Sequence, residues 1–451
     1  MEIKDQIEKL NERLARYIPP RETWTPAEEA LFNPSDILRV PVDQARATQL
    51  KSIKYAFSRH YNLNDFYHNY CEEEGVTPDD IKTYDDLEKI PLIPDLTFKQ
   101  HPSGKGFAYW LTVIFTGDLP KVVIKDANPS FDDVINAFSA AGINVTHSSG
   151  TSGQITVVPR DMRTLLDFRY SLGKLTVCLS DDLSVHHTLS LLPKATQSNL
   201  TISGATAYVP DLYNDVSNPL DLQISPDMTL NAMTAQEQEH APPSAGESQR
   251  KIVESAIKWL ERYDKTTDTI RIAGPPFLIF EVIDELERQG RRFEFGERGM
   301  VMTGGGWKAT KETGVSFAFR KRVEETLGIP ETRCLDLYGM SEMNTMACTC
   351  PEGHYFHLPY TWLKPMVLDK SLTPAGYGES GRFAFLDGLE GSFPGFILSG
   401  DEVRMHERCP VCDRPGPVLE PEVKRAKGAE IRGCAEVIGR VLAEEGKKSL
   451  R

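Results

Sequence analysis

The sequence predicts a layered α/β protein with a small helical cap at its N-terminal end and a short C-terminal region. Three observations predict it. Helix-like and turn-rich segments fill residues 1 to about 105; from about Phe107 short β-rich runs alternate with helical stretches; and the chain of 451 residues, 40% hydrophobic, is long enough for a large core.

The cap, residues 1–105, opens on MEIKDQIEKLNERLARYIPP, which is charged and periodic like an amphipathic helix. It continues through NDFYHNYCEEEGVTPDDIKTYDDLEKIPLIPDLTFK, where Asp and Thr stand as caps before helical stretches. The α/β core is expected over 106–425. WLTVIF, KVVIK, ITVVP, HTLSLLP and TAYVP read as strands, and RTLLDFRYSLGKL as a helix. An insertion over about 212–250 is polar and punctuated by Pro and Ser, as in a loop or lid. After it come the helix KIVESAIKWLERYDK, the strands TIRIAG and GMVMTGG, and the helix KETGVSFAFRKRVEETLG. Residues 426–451 form a short tail.

Charge and composition narrow the partners. With 51 Lys and Arg against 65 Asp and Glu, the net charge of −14 opposes nucleic acid and anionic membranes. The start lacks the apolar core of a signal peptide, and no run is apolar over the ~18 residues a membrane helix needs. A cytoplasmic protein is expected, and a homodimer is compatible with the chain. The 8 cysteines are too few for a disulfide scaffold.

Four segments carry candidate chemistry. HSSGTSGQITVVPRD, from His147 to Asp161, puts a Ser/Thr/Gly loop before a β-like run, a pattern that can wrap an anionic phosphate chain; a plain turn is the alternative. TGGGWK, Thr303 to Lys308, follows an expected strand, and a triple glycine admits a planar base against the backbone. In LDLYGMSEMN, Leu335 to Asn344, Tyr338 offers a stacking face and Glu342 a carboxylate suited to Mg²⁺; a core tyrosine and a solvated glutamate are the plainer readings. ILSGDEVRM places Asp401 after a strand and a Ser-Gly turn, where it could accept ribose hydroxyls or simply shape the turn.

The order SSGTSG, GGG, YGMSE and SGD resembles the adenylate-forming superfamily of acyl-CoA synthetases, peptide-synthetase adenylation domains and luciferases. The N-terminal NDFYHNYCEEEGVTPDDI, with GGGWK, YGMSEMN and KGAEIRGC, is similar to the phenylacetate-CoA ligase branch, and within it to the acyl-protein synthetases of bacterial luciferase fatty-acid reductase complexes. The resemblance implies a layered adenylate-forming domain that binds ATP and Mg²⁺, makes an acyl-AMP from a carboxylic acid, and passes the acyl group to a thiol of its own or of a partner enzyme or carrier. It implies that Ser148, Ser149, Gly150, Thr151, Ser152 and Gly153 hold the phosphates. Gly304, Gly305 and Gly306 would flank the adenine, with Tyr338 and Gly339 beside it. Ser341 and Glu342 would serve phosphate and Mg²⁺, and Asp401 the ribose. Gln154 and Ile155 stand where the superfamily has Pro and Lys, so Mg²⁺ or another cation such as Lys308 must offset the phosphate charge. Only 18 residues follow Gly433, so a truncated C-terminal region without the superfamily's mobile domain and its lysine is expected. Two other readings use the same motifs: a ligase with a small-molecule thiol or amine acceptor, and a non-catalytic adenylate-binding protein.

Two cysteine-bearing segments add a metal site. CTCPEGHYFH and RCPVCDR together offer the S and N ligands of a closed tetrahedral Zn²⁺ site, with reduced structural cysteines or a redox pair as alternatives. The resemblance selects Cys350 and His357, alongside Cys409 and Cys412. Finally, Cys434 stands beside Arg432 and near Lys427, cations that favour a thiolate, and the resemblance makes it the candidate acyl acceptor. Its apolar neighbours also suit a buried residue of a last helix.

Overall fold

The computed structural model describes residues 2–149, 155–180, 182–220, 224–227, 245–305 and 315–426. The expected loop residues Gly150, Thr151, Ser152 and Gly153, then Gly306 and Lys308, most of the expected insertion, and Cys434 lie outside the described residues.

The N-terminal segment folds as helices α1 (Ile3–Arg13), α2 (Pro26–Phe32), α3 (Val42–Leu63) and α4 (Asp65–Glu74). Their ends follow from local chemistry. Thr25 and Glu28 close a capping box around Pro26 at the start of α2, and Asn64 accepts from the Tyr67 amide at the start of α4. Strand β1 (Ile93–Pro94) and helices α5 (Lys105–Ile114) and α6 (Phe131–Ala140) follow. Helix α5 corrects the sequence reading of WLTVIF as a strand: Phe107, Trp110, Leu111 and Ile114 are all buried, a spacing that lines one face of a helix. The KVVIK segment, also expected as a strand, has no regular secondary structure.

A hairpin of β2 (Asn144–His147) and β3 (Val157–Arg160) leads into α7 (Met162–Ser180), a helix buried along most of its length. After β4 (His187–Ser190) come the short helices α8 (Thr201–Ala205) and α9 (Val209–Leu212). TAYVP is therefore helical, with Ala205, Tyr208 and Leu212 turned inward at helical spacing. The chain continues through β5 (Asp215–Ser217), α10 (Ala245–Tyr263), β6 (Ile270–Gly274), α11 (Pro276–Arg288), β7 (Gly299–Gly304), α12 (Val315–Leu327) and β8 (Cys334–Tyr338). Strands β9 (Ala347–Thr349), β10 (Phe356–His357), β11 (Leu363–Leu368), β12 (Ser380–Asp387), β13 (Phe396–His406), β14 (Val418–Leu419) and β15 (Lys424–Arg425) complete it.

The main sheet runs β11-β12-β13-β14-β10-β9-β8-β7-β6-β4-β5. Strands β5, β4, β6, β7 and β8 are parallel and linked by helical crossovers, whereas β8 to β14 and on to β11 pair antiparallel. Helices α10, α11 and α12 cover one face of the parallel half through Leu260, Ile283, Val323 and their neighbours. A second, larger core surrounds α7, the cap and the antiparallel half. The loop that leaves the carboxyl end of β8 meets the β2–β3 hairpin, at the edge where α/β sheets bind ligands. Asp401 departs from its expected place after a strand: it lies inside β13, because β12 pairs one edge of that strand and β15 the other, Asp401 facing Arg425. Among the described residues no helix is long and apolar enough to cross a membrane.

His60 joins the cap to the core. Its Nδ1 lies 2.8 Å from Thr116 Oγ1 and its Nε2 2.9 Å from the Glu390 carbonyl oxygen. Burial pushes the imidazole down to about 3. A folded state that refuses a proton the unfolded chain accepts has its full stability above pH ~6.5 and loses it as pH falls from there towards the folded value. From pH 6.5 to 5 this single group should cost about 2 kcal/mol. Urea midpoints at the two pH values should show this loss in the wild type and a smaller one in His60→Gln; equal losses would remove His60 as the cause.

Candidate active site and metal centre

Arg160, at the end of β3, organises the site from beneath. Its guanidinium is fully buried, between the rings of Phe168 and Phe393. Nε donates to Asn344 Oδ1 at 3.0 Å and to Glu390 Oε2 at 3.1 Å, and Nη2 donates to the carbonyl oxygens of Ser341 and Met343 at 2.9 Å. Burial raises the Glu390 carboxyl to about 8, against the pull of Arg160. One side chain from the β2–β3 hairpin therefore fixes the backbone of the YGMSE loop and the segment joining β12 to β13.

The loop so held presents Ser341 and Glu342. Ser341 Oγ accepts from Thr201 at 2.9 Å, and Glu342 Oε1 accepts from Thr156 Oγ1 at 3.1 Å. Burial pushes the Glu342 carboxyl up to about 7; Lys99 opposes that shift and Asp95 adds to it. A buried carboxylate whose charge is disfavoured in this way suits a divalent cation. The hairpin that carries Thr156 also carries Ser148, half-buried, whose Oγ accepts from the Thr156 amide at 3.0 Å, and Ser149, exposed at the mouth of the loop.

Lys99 and Asp95 were not singled out from the sequence. They form an ion pair that is only 12% exposed on each side, and Asp95 also accepts from the Gly400 amide at 3.2 Å. A side chain at Gly400 would lie 3.2 Å from both Arg425 Nη1 and Asp95 Oδ2, so glycine lets two charged groups meet over β13. Lys99 is thus a cation on the Glu342 side of the site, the role for which the sequence offered Lys308.

Tyr338 ends β8 with its ring near Phe356 and Phe383 and its hydroxyl donating to Asp401 Oδ2 at 3.0 Å. Burial and Asp401 hold the phenol in its protonated form, well above the ordinary tyrosine range. Arg425 reaches the other oxygen of Asp401 at 3.0 Å. Gly304 closes β7, and Gly305 follows with φ +96°, a left-handed conformation that favours glycine. Gly339 packs against Met346, whose Cε would lie 3.0 Å from an added Cβ.

A second centre lies across β9, β10 and the turn after β13. One ligand atom each from Cys350, His357, Cys409 and Cys412 falls within 4.8 Å of the others, and all four residues are buried. Cys412 Sγ is 3.3 Å from His357 Nε2, and Cys350 Sγ 4.0 Å from Cys409 Sγ. Arg39 clamps Asp413 at 2.8 and 3.0 Å, and Arg414 clamps Glu352 at 2.9 and 3.0 Å, straps on either side of the Cys-x-x-Cys turn. Three thiols and an imidazole, converging without a carboxylate, form a potential metal site of soft character.

Among solved structures, an open form of 2-hydroxyisobutyryl-CoA ligase with an acyl-adenylate and CoA shares the fold at TM-score 0.58 and 14% identity, over 92% of this chain and 75% of that one. Its thioesterification-state form matches at 0.58 and 16%, over 91% and 72%. At these identities the likeness shows a shared fold. Residues 242–443 match the family model described as acyl-protein synthetase, LuxE. Two relatives named long-chain-fatty-acid–luciferin-component ligase, from Vibrio harveyi and Aliivibrio fischeri, are 25% and 23% identical over 397 and 405 residues. The first alignment spans 85% of both chains, the second 88% of this chain and 89% of the relative.

Arg160→Met should be severely destabilising, by about 3–5 kcal/mol, because it leaves Glu390, Asn344 and the carbonyl oxygens of Ser341 and Met343 buried without their donor. Arg160→Met combined with Glu390→Leu should recover part of that loss in urea denaturation. A double variant no better than the single would show that the pair is not what holds the loop.

Proposed function

We propose that the chain activates a carboxylic acid as acyl-AMP and transfers the acyl group to a thiol. The observation that carries this reading is the convergence on one sheet edge of Glu342, held by Thr156 of the phosphate-side hairpin, with the Lys99–Asp95 pair, Tyr338 and Asp401. In the first step a carboxylate oxygen of the acid attacks the α-phosphorus of ATP, and the bond to pyrophosphate breaks. In the second a thiolate attacks the acyl carbonyl, and AMP leaves with the bonding electrons. The protein's share is positioning and charge neutralisation.

In this reading Ser148 and Ser149, with Gly150, Thr151, Ser152 and Gly153, cradle the phosphates and Lys99 adds positive charge beside them. Glu342 would hold Mg²⁺, which supplies neutralisation of phosphate charge when bound. Gly304, Gly305 and Gly306 border the adenine, with Tyr338 and Gly339 at its edge. Asp401 takes the ribose; to accept its hydroxyls it releases Arg425, which is 41% exposed and free to turn towards solvent. Support for a protein thiol as acceptor comes from the family match, whose span includes Cys434. The four-ligand cluster would hold Zn²⁺ with no open position. Its role would be structural, tying the end of β13, and so Asp401, to the strands that follow Tyr338.

Glu342→Gln and Asp401→Asn should each lower ATP–pyrophosphate exchange by about 100-fold or more while leaving thermal unfolding near that of the wild type. Unchanged exchange in both would remove these residues from the ATP site. About one Zn²⁺ per chain should copurify, and Cys412→Ser should lower both metal content and melting temperature, since a structural metal's binding energy is folding energy. A metal-free preparation as stable as the zinc-loaded one would contradict the site. Intact-protein mass after incubation with ATP and acid should show a hydroxylamine-labile acyl adduct that Cys434→Ala abolishes; an adduct that persists in that variant would exclude Cys434.

A further inference from the structure

A cavity of about 310 Å³ lies where the first turns of α3 and the Asp85–Lys89 turn meet β11 and the end of β13. Small-molecule sites begin at roughly this size, ~300 Å³. None of its lining residues is among those placed at the ATP site. Met405, on its wall, stands on β13 four residues beyond Asp401, or roughly 13 Å of strand.

The walls are built rather than left over. Gln49, 3% exposed, donates from Nε2 to the Tyr360 carbonyl oxygen at 3.1 Å, and the Tyr360 hydroxyl donates to the carbonyl oxygen of Val40. Gly416, with φ +93°, closes against the Tyr360 ring, and a Cβ added there would collide with that ring. Above this floor Ala45, Met366 and Met405, all buried, present apolar surface to the cavity. Two thioethers beside the rings of Tyr84 and Tyr377 suit a large apolar group, an aromatic ring most favourably.

Four charged side chains also line it: Arg46, Glu88, Lys364 and Glu407. Lys364 and Glu88 satisfy one another. The Lys364 Nζ lies 3.3 Å from Glu88 Oε1 and 4.3 Å from the centre of the Tyr84 ring. Arg46 and Glu407 are left over. The Arg46 Cζ lies 5.5 Å from the centre of the Tyr84 ring, but among the described residues neither Arg46 nor Glu407 makes a side-chain hydrogen bond or an ion pair. Both act on Tyr377, which is half exposed at the rim: burial and then Glu407 push its phenol up, and Arg46 opposes them. An apolar pocket thus carries one unpaired cation and one unpaired anion near the same hydroxyl. A simple anion or a simple cation would meet one attractive and one repulsive charge there; a zwitterion meets two attractive ones.

We propose that this cavity binds a free α-amino acid with a large apolar side chain. The guanidinium fork of Arg46 takes the α-carboxylate, Glu407 takes the α-ammonium, and the side chain enters between Met366 and Met405. Such a ligand would tie α3 of the cap to the end of β13, the strand that carries Asp401. The site goes beyond the adenylation reading and does not rest on it.

The test uses the full chain without nucleotide, so that its failure is distinct from failure of the adenylation reading. Isothermal titration calorimetry compares L-phenylalanine with 3-phenylpropionate, which lacks the ammonium, and with 2-phenylethylamine, which lacks the carboxylate. Phenylalanine should bind at least about tenfold more tightly than either. Arg46→Gln should erase its advantage over phenylethylamine, and Glu407→Gln its advantage over 3-phenylpropionate. Both side chains are exposed and unpaired, so both variants should unfold at the wild-type temperature. Absence of saturable phenylalanine binding by the wild type, a tie or reversal among the three ligands, or selectivity unchanged in either variant would overturn the proposal.

Discussion

The fully buried guanidinium of Arg160 is the contact on which the geometry of the site depends. It sits at the end of the β2–β3 hairpin, yet its hydrogen bonds go to the backbone of Ser341 and Met343, to Asn344 and to Glu390. Three segments far apart in sequence are thereby held in one register. Taking a guanidinium out of water is costly, and only a nearly complete set of acceptors makes the position tolerable. The same requirement makes the arrangement specific, because a shifted YGMSE loop would leave a buried charge short of partners. Asn344 extends the lock: its side-chain amide donates to the carbonyl oxygens of Thr164, on α7, and Leu389, and its backbone amide donates to Asp387.

Around that lock the mixed sheet divides the labour. The parallel half supplies strand ends, Gly304 and Tyr338 among them, and a cleft between sheet and helices. The antiparallel half supplies β13, which brings Asp401 to the same edge and is flanked by β15. Gly400 is the point where the halves meet the cap, since its missing side chain leaves room for Asp95 and Arg425 together. The Cys/His cluster lies behind this junction, where the antiparallel strands are short and contribute few ladder hydrogen bonds of their own. A metal there would compensate for that brevity.

Much of this was readable in the sequence, and what was missed has a common cause. The loop before β3, the glycines after β7, Tyr338, Glu342 and the four metal-ligand candidates announce themselves because each belongs to a local pattern with its own chemistry. Thr156, Lys99, Asp95 and Arg160 do not: each is an isolated polar residue in an otherwise ordinary segment, and its meaning comes from a partner brought to it by the fold. The misread elements have a similar origin. WLTVIF is as apolar as a strand, and only the spacing of Phe107, Trp110, Leu111 and Ile114 along a longer window reveals a helix. Asp401 looks like a turn residue until both neighbours of β13 are known.

The central claim is that the acid's own carboxylate becomes bonded to the α-phosphorus of ATP, and isotope transfer tests it most directly. A substrate acid labelled with ¹⁸O in its carboxylate, incubated with ATP, Mg²⁺ and the full chain until the acyl group has moved to a thiol, should deliver one labelled oxygen to the released AMP, as mass spectrometry of the nucleotide would show. Transfer of the acyl group accompanied by unlabelled AMP, or by ADP in its place, would contradict adenylate formation and the account built on it.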